Sequence, residues 1–173
     1  NLGDMDLFGV CFQQKVSDID WFASLSIDKS YPDVGAVSQY GFGGLLGNPN
    51  ESETGMAYYV GTRFPVKALD GKFGLEYNHG DEHWFSYTNG ADDIAMSKLA
   101  TKGSVIEAYY IQKIEKKFNI RAGIQAYDYD YAFSGWHIAP GPMSMFELDK
   151  NPSLAYAFPD KITNVYVVFD LDF

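Results

Sequence analysis

The 173 residues include 23 acidic and 13 basic side chains, which gives a formal net charge of −10, and 17% of the residues are aromatic. This charge excludes a nucleic-acid partner, because a phosphate polymer would be repelled and no cluster of Lys and Arg offers a local exception. The lone Cys11 excludes an internal disulfide and a structural zinc site, and we expect it to be a small packed side chain.

Four predicted strands occupy the first half of the chain as two pairs, each pair joined by a short turn. The first pair is DLFGVCFQQK and DWFASLSID around the turn VSDI, and the second is GMAYYVGTRFPV and KFGLEYNHG around KALDG. In three of the four segments, apolar and polar side chains alternate. Successive strand side chains point to opposite faces, so the alternation predicts strands with one apolar and one mostly polar face.

Three more predicted strands follow in the second half: GSVIEAYYIQ, KKFNIRAGIQAYDYDYAF and NVYVVFDLDF. In the middle one, an apolar face runs over the nine residues from Phe118 to Ala126. Nine tilted residues at about 3.3 Å each cover the apolar band of an outer membrane. The last strand places five apolar residues on one face, namely Val165, Val167, Phe169, Leu171 and Phe173.

The predicted connections alternate in length along the whole chain. Short ones lie at Val16–Asp20, Lys67–Gly71 and Lys113–Lys117, and long ones at Lys29–Thr54, Gly80–Lys102 and Ser134–Lys161, the last with a short helical turn around MSMFELDK. In an up-and-down meander this alternation collects the long loops at one end of the sheet. Outer-membrane barrels have short periplasmic turns and long outer loops.

Strands with this pattern are stable in two kinds of environment. The apolar face can pack inside a soluble sandwich, or it can face lipid while the polar face lines a wet lumen. No stretch of 18 apolar residues predicts a membrane-spanning helix, but barrel strands need only about 9 to 11 residues. The loop pattern favours lipid. We therefore predict an all-β, antiparallel, up-and-down transmembrane β-barrel, with residues 1–173 forming one barrel domain or its C-terminal portion.

The terminal alternation from Val165 to Phe173 resembles the C-terminal signal of outer-membrane barrels, which the barrel assembly machinery reads. The stretch EAYYIQKIEKKFNIRAGIQAYDYDYAFSGWH is similar to the C-terminal region of a porin family of unknown function in Gram-negative bacteria. The resemblance implies an outer-membrane location, with lipid and lipopolysaccharide as partners. Members of that family are longer, so it also implies that the seven strands are the C-terminal part of a larger barrel. A missed strand near Gln39 to Leu46, or assembly from several chains, would also supply the missing strands.

The polar faces of the strands supply eight candidate pore-lining residues. These are Arg63, Lys72, Glu76, Glu107, Arg121, Gln125, Asn164 and Asp170. Opposed charges across a lumen select small polar solutes, whereas the same residues could also plug a narrow barrel with ion pairs. We expect passive diffusion of small hydrophilic or ionic solutes. The alternatives are a non-conducting barrel that acts as an adhesin or scaffold through its long loops, and a soluble β-sandwich or lectin-like domain.

Enzymatic chemistry has little support in the sequence. No GxSxG stretch accompanies the three histidines. His137 and a serine could in principle form a nucleophile and base, but nothing in the sequence places them together. The stretch NHGDEHW combines His79, Asp81, Glu82 and His83, which could hold a divalent metal, but a solvated acidic turn is the simpler interpretation. We expect neither an enzyme nor a cofactor.

Overall fold

The computed structural model describes residues 3–33, 44–86, 97–135, 141–151 and 158–171. Phe173, His137 and residues 39–43 of the segment considered for an extra strand lie outside these ranges. Seven strands are present: β1 (Gly3–Val16), β2 (Ile19–Pro32), β3 (Thr54–Val66), β4 (Gly71–Gly80), β5 (Gly103–Glu115), β6 (Phe118–Tyr129) and β7 (Lys161–Leu171). The seven predicted strands are confirmed, and most extend beyond their predicted bounds.

The strands form one antiparallel meander in the order of the sequence. The turns are short between β1 and β2, between β3 and β4, where a 3-10 helix spans Lys67–Leu69, and between β5 and β6. The long connections contain a second 3-10 helix, Lys98–Ala100, and the predicted helical turn, α1 (Met145–Leu148). The up-and-down, all-β architecture is therefore confirmed.

The two outer strands are edges of the described sheet. Among the described residues, β1 pairs with β2 and β7 pairs with β6, and neither has a partner on its other side. Because seven antiparallel strands alternate in direction, β1 and β7 run the same way. The exposure of Cys11 follows from this position and corrects the prediction of a packed side chain.

The face that carries Phe73, Ile124 and Val167, which we call the apolar face, is open. Its large side chains are strongly exposed in the strands across the sheet, for example Val165 (73%) and Phe169 (64%). The predicted partners in the terminal alternation, Val167 and Leu171, are exposed on the same face. No second layer covers this face within the described ranges, so the strands expose their apolar sides.

The opposite face, which carries Glu76, Glu107 and Gln125 and which we call the polar face, is covered by residues of the long connections. Near the loop end, Met145 and Leu148 of α1 pack with Val105, Tyr127 and Tyr129 in a small hydrophobic cluster. Buried polar side chains lie on both sides of this cluster, with Asp28 and Lys102 at the loop end and Glu107 and Gln125 toward the turns. No helix among the described residues has the length and hydrophobicity needed to cross a bilayer.

Candidate functional site

Two neighbouring cross-strand rows on the polar face contain its two buried glutamates and several of its aromatic side chains. In the first row the register aligns Phe22, Gly61, Glu76, Glu107, Gln125 and Asn164 from β2 to β7. In the second row it aligns Arg63, Gly74, Tyr109, Gly123 and Tyr166 from β3 to β7. The two rows are adjacent because their members lie two residues apart along each strand.

Glu76 and Glu107, which we call the glutamate pair, lie directly opposite each other on β4 and β5. They are only 5% and 2% exposed. Like charges in directly opposed positions destabilise a sheet, and buried carboxylates are costly without partners. The pair therefore requires a cation and hydrogen-bond donors.

Lys98 supplies the cation from the long connection between β4 and β5. Its Nζ forms ion pairs with both members of the glutamate pair, and its side chain is only 17% exposed. Two contacts fix the 3-10 helix that carries it: Asn78 Nδ2 donates to the Lys98 carbonyl oxygen at 2.6 Å, and Trp84 Nε1 donates to that of Leu99 at 2.7 Å. The loop is thus attached to the polar face through its backbone as well as its charge.

Three tyrosine hydroxyl groups complete the coordination of the glutamate pair. Tyr59 and Tyr109 donate to Glu76, the latter at 2.6 Å, and Tyr166 donates to Glu107. With Lys98, these contacts give each carboxylate at least two donors. A buried polar network whose members are satisfied in this way favours one arrangement of its side chains.

Glycines opposite the aromatic residues create the space for these rings. A Cβ atom at Gly74 would lie 2.2 Å from Cζ of Tyr109, and one at Gly123 would lie 2.7 Å from Cζ of Tyr166. Each ring therefore lies across the glycine on the neighbouring strand. This arrangement directs the hydroxyl groups along the sheet toward the glutamate pair.

Two arginines contact the same aromatic rings. Arg63 Nε donates to the Tyr109 hydroxyl oxygen at 2.8 Å, and its guanidinium carbon lies 5.3 Å from the Phe22 ring centroid. The Arg121 guanidinium carbon lies 5.5 Å from the Tyr109 centroid and 5.3 Å from that of Tyr166. Stacking on aromatic rings favours arginine over lysine at both positions.

The remaining predicted pore-lining residues share the polar face but are more dispersed. Gln125 Oε1 accepts from Asn164 Nδ2 at 3.0 Å and from the Tyr127 hydroxyl at 3.1 Å. Lys72 pairs with Asp20 at 2.7 Å nearer the turns. Asp170 lies exposed near the turn end of the edge strand β7. The register thus places all eight predicted residues on one face, and whether they line a pore stays a prediction.

Sequence reasoning missed the residues that connect this set. Lys98 lies in a long connection with no periodic pattern, so nothing in the sequence indicated its position. The tyrosines were visible within alternating strands, and their parity placed them on the polar face. For Tyr109 and Tyr166, the signal that could have identified them is a glycine directly opposite on the neighbouring strand, whereas Tyr59 lies opposite Ser24 and Asn78 and has no such signal.

The histidine and acidic stretch after β4 forms local contacts. His83 Nδ1 contacts the Leu46 carbonyl oxygen at 2.9 Å, and its Nε2 lies 3.4 Å from Glu53 Oε2. His79 Nδ1 contacts Ser104 Oγ at 3.1 Å. Within the described ranges, no group of three or more His, Cys, Asp or Glu residues is arranged to hold a metal ion.

Lys102 is a buried cation at the loop end, just before β5. It is 3% exposed. Burial lowers the pKa of Lys102, while the negative charges of Asp28, Asp81 and Glu82 act in the opposite direction. These carboxylates therefore stabilise a lysine whose charge would otherwise be costly to bury.

The architecture and the site together define a class: an antiparallel β-meander with one exposed apolar face and one face built from a buried polar network. The chain belongs to the family of proteins of unknown function DUF3373, whose model matches residues 1–173. No curated protein matches the chain significantly. No solved structure does so either.

Proposed function

We propose that this chain forms part of the wall of an outer-membrane β-barrel of porin type in a Gram-negative bacterium. The observation that carries the proposal is the polarity of the sheet, which buries its polar face and exposes its apolar face. The glutamate pair is buried on one face, whereas Val165 and Phe169 are more than 60% exposed on the other. Large contiguous apolar surfaces are rare on soluble monomers, whereas barrels direct such surfaces toward lipid.

The distribution of connections supports the same proposal. Three short turns lie at one end of the meander, and the connections of more than 20 residues lie at the other. In the proposed orientation, the turns face the periplasm and the long connections face outward, near lipopolysaccharide. The unpaired edges of β1 and β7 would be closed by further strands or by other copies of the chain, since lipid does not tolerate an open edge.

The polar face supports passage of small hydrophilic or ionic solutes. It carries cations and anions in neighbouring rows, with Arg63 and Arg121 on the turn side of the glutamate pair. Charges of both signs in a low-dielectric wall create a transverse field that acts on polar solutes. The exposed apolar residues of β7 from Val165 to Leu171 would serve as the assembly signal together with Phe173.

Planar-bilayer recording tests the proposed pore. The full-length protein that contains this chain is purified and reconstituted, and we expect discrete conductance steps in potassium chloride. A matched preparation in which the protein is inserted but shows no steps at several voltages would contradict the pore. Dispersal as a soluble monomer without detergent would contradict the membrane location as well.

One observation favours the second candidate, a non-conducting barrel that acts as an adhesin or scaffold through its long loops. Lys98 and three tyrosines occupy the middle of the polar face, so this part of the interior is filled by side chains. Small barrels are commonly packed inside in this way. Membrane insertion without conductance is the result that would select this candidate.

A further inference from the structure

Two cavities follow one another along β1, β2 and β3, and residues of the polar face line most of each. The loop-end cavity has a volume of about 330 Å³, and the turn-end cavity has a volume of about 460 Å³. The residues around the loop-end cavity include Gly9, Ser24, Ser26, Tyr59 and Trp84. Those around the turn-end cavity include Gln13, Lys15, Phe22, Tyr59 and Arg63. A solute that moves along this part of the polar face would therefore meet both cavities.

Tyr59 lies between the two cavities. Among the described residues, it is the one that lines both of them. Its partner on β2 is Ser24, and the next residues on the same face of β2 divide between the cavities. Ser26, nearer the loop end, lines the first cavity, and Phe22, nearer the turns, lines the second. The boundary between the cavities is therefore occupied by the large side chain of Tyr59.

The ring of Tyr59 is held by contacts from three other elements. Its hydroxyl group donates to Glu76 of β4, and its ring centroid lies 5.3 Å from that of Phe22 on β2. Lys98 Nζ, from the long connection, lies 5.1 Å from the same centroid. Phe22 is itself placed across Gly61, where a Cβ atom would lie 2.2 Å from its Cζ. Because these contacts come from different directions, the ring has little freedom to turn out of the boundary.

The charged neighbours of the ring are paired within the protein. Glu76 binds Lys98 as well as the Tyr59 hydroxyl group. In the turn-end cavity, Asp20 pairs with Lys72 at 2.7 Å. The obstacle between the two cavities is therefore the volume of an aromatic side chain and does not depend on an unpaired charge.

We propose that Tyr59 limits the passage of small hydrophilic solutes between the loop-end cavity and the turn-end cavity. Selectivity in a pore depends on its width at the narrowest point, and the Tyr59 ring narrows the path where the two cavities meet. Removal of the ring would join the cavities into one continuous space. The inference rests on the proposed pore and deepens it by naming the residue that restricts solute size.

Thiol labelling in lipid vesicles tests this barrier without relying on conductance. The full-length protein that contains this chain has its cysteines replaced, including Cys11→Ser, and carries one reporter. The reporter is Ser26→Cys in the loop-end cavity or Gln13→Cys in the turn-end cavity. A trimethylammonium methanethiosulfonate reagent, which does not cross lipid, is added on the side of the long connections. Protease cleavage of these connections verifies the orientation of the protein.

Each labelling rate is divided by the rate of the same variant in detergent micelles, where the reagent reaches both ends of the sheet. We expect the normalised rate of Gln13→Cys to be lower than that of Ser26→Cys by about tenfold, which corresponds to a barrier about 1.4 kcal/mol higher. Tyr59→Ala should bring the two rates together, because it removes the ring between the reporters.

Tyr166→Ala is the matched control. Tyr166 also donates to the glutamate pair, through Glu107, but it lines neither cavity. This variant should leave the Gln13→Cys rate unchanged. Far-UV circular dichroism checks that each variant is folded, and Tyr59→Leu, which also lacks the ring, takes the place of Tyr59→Ala if the latter does not fold.

Equal rates for the two reporters in the presence of Tyr59 would overturn the proposal. A Gln13→Cys rate that does not rise on loss of the ring, or that rises equally in Tyr166→Ala, would also overturn it. The result is separable from the proposed pore. Slow labelling that Tyr59→Ala releases, in a protein without conductance steps, would retain the barrier and remove the pore, whereas conductance steps with equal reporter rates would retain the pore and remove the barrier.

Discussion

Replacement of Val167 by arginine tests which solvent contacts the apolar face. Val167 lies on β7 within the apolar alternation from Val165 to Leu171, opposite Ala122 of β6, and it is 57% exposed. If water covers this face, an arginine there is a surface substitution, which changes stability by less than about 0.5 kcal/mol. If lipid covers it, the cost is about 2–4 kcal/mol near the bilayer midplane.

The position along the strand supplies a matched control. Thr163 is exposed on the same face of β7, four residues nearer the loop end. At about 3.3 Å per residue, this separation is roughly 13 Å along the strand. Thr163→Arg should therefore lie close to the interface and cost only about 0–1 kcal/mol. The expected result is a depth-dependent difference between two identical charge insertions.

Reversible urea unfolding in phospholipid vesicles, followed by tryptophan fluorescence, measures both variants. We expect Val167→Arg to lower the free energy of unfolding by at least about 1 kcal/mol more than Thr163→Arg does. Equal and small losses for the two variants would refute a lipid-covered face. They would instead support a sheet whose apolar face is exposed to water.

Three further substitutions test the polar face and its loops. Lys98→Met should lower the free energy of unfolding in urea by about 3–5 kcal/mol, because it leaves the glutamate pair buried without its cation. Replacing both glutamates by glutamine in the same variant should restore most of this loss. Gly74→Ala should lower the free energy of unfolding by about 1–3 kcal/mol, because its Cβ atom would lie 2.2 Å from the hydrogen-bonded ring of Tyr109. Gly9→Ala is the matched control and should lower it far less, because the nearest atom to its Cβ would be 3.7 Å away. Asp28→Ala removes a carboxylate that accepts the Phe85 N–H at 2.9 Å, and faster chymotrypsin cleavage at Phe85 is expected; unchanged cleavage would contradict this anchoring role.

Most of the fold could be predicted from the sequence because strand periodicity is a local property. In an alternating segment, the position of a residue predicts the face of the sheet on which its side chain lies. Glu76, Glu107 and Gln125 lie on the face that the alternation predicts. The alternation of short and long connections then predicted the up-and-down order of the strands. Strand ends were less predictable, since pairing extends as far as a neighbour provides partners, as at Gly3 and Pro32.

The contacts of the candidate site were much harder to predict because they combine distant segments. Lys98 reaches the glutamate pair only through a loop whose position depends on Asn78 and Trp84. The partners of Arg121 depend on which strands become neighbours and on the glycine opposite each ring. Alternation alone cannot supply this information, since it fixes the face of a side chain and not its neighbour in the adjacent strand.

The inverted polarity explains why the site takes this form. A face that does not rely on hydrophobic packing must obtain its order from directional contacts, and each buried polar group must then be satisfied. The glutamate pair meets this requirement only when Lys98 is in place, so the loop that carries Lys98 and the centre of the sheet stabilise each other. The two arginines are held by aromatic rings rather than by carboxylates. Through Tyr109, whose hydroxyl group donates to Glu76, these ring contacts connect both arginines to the same network.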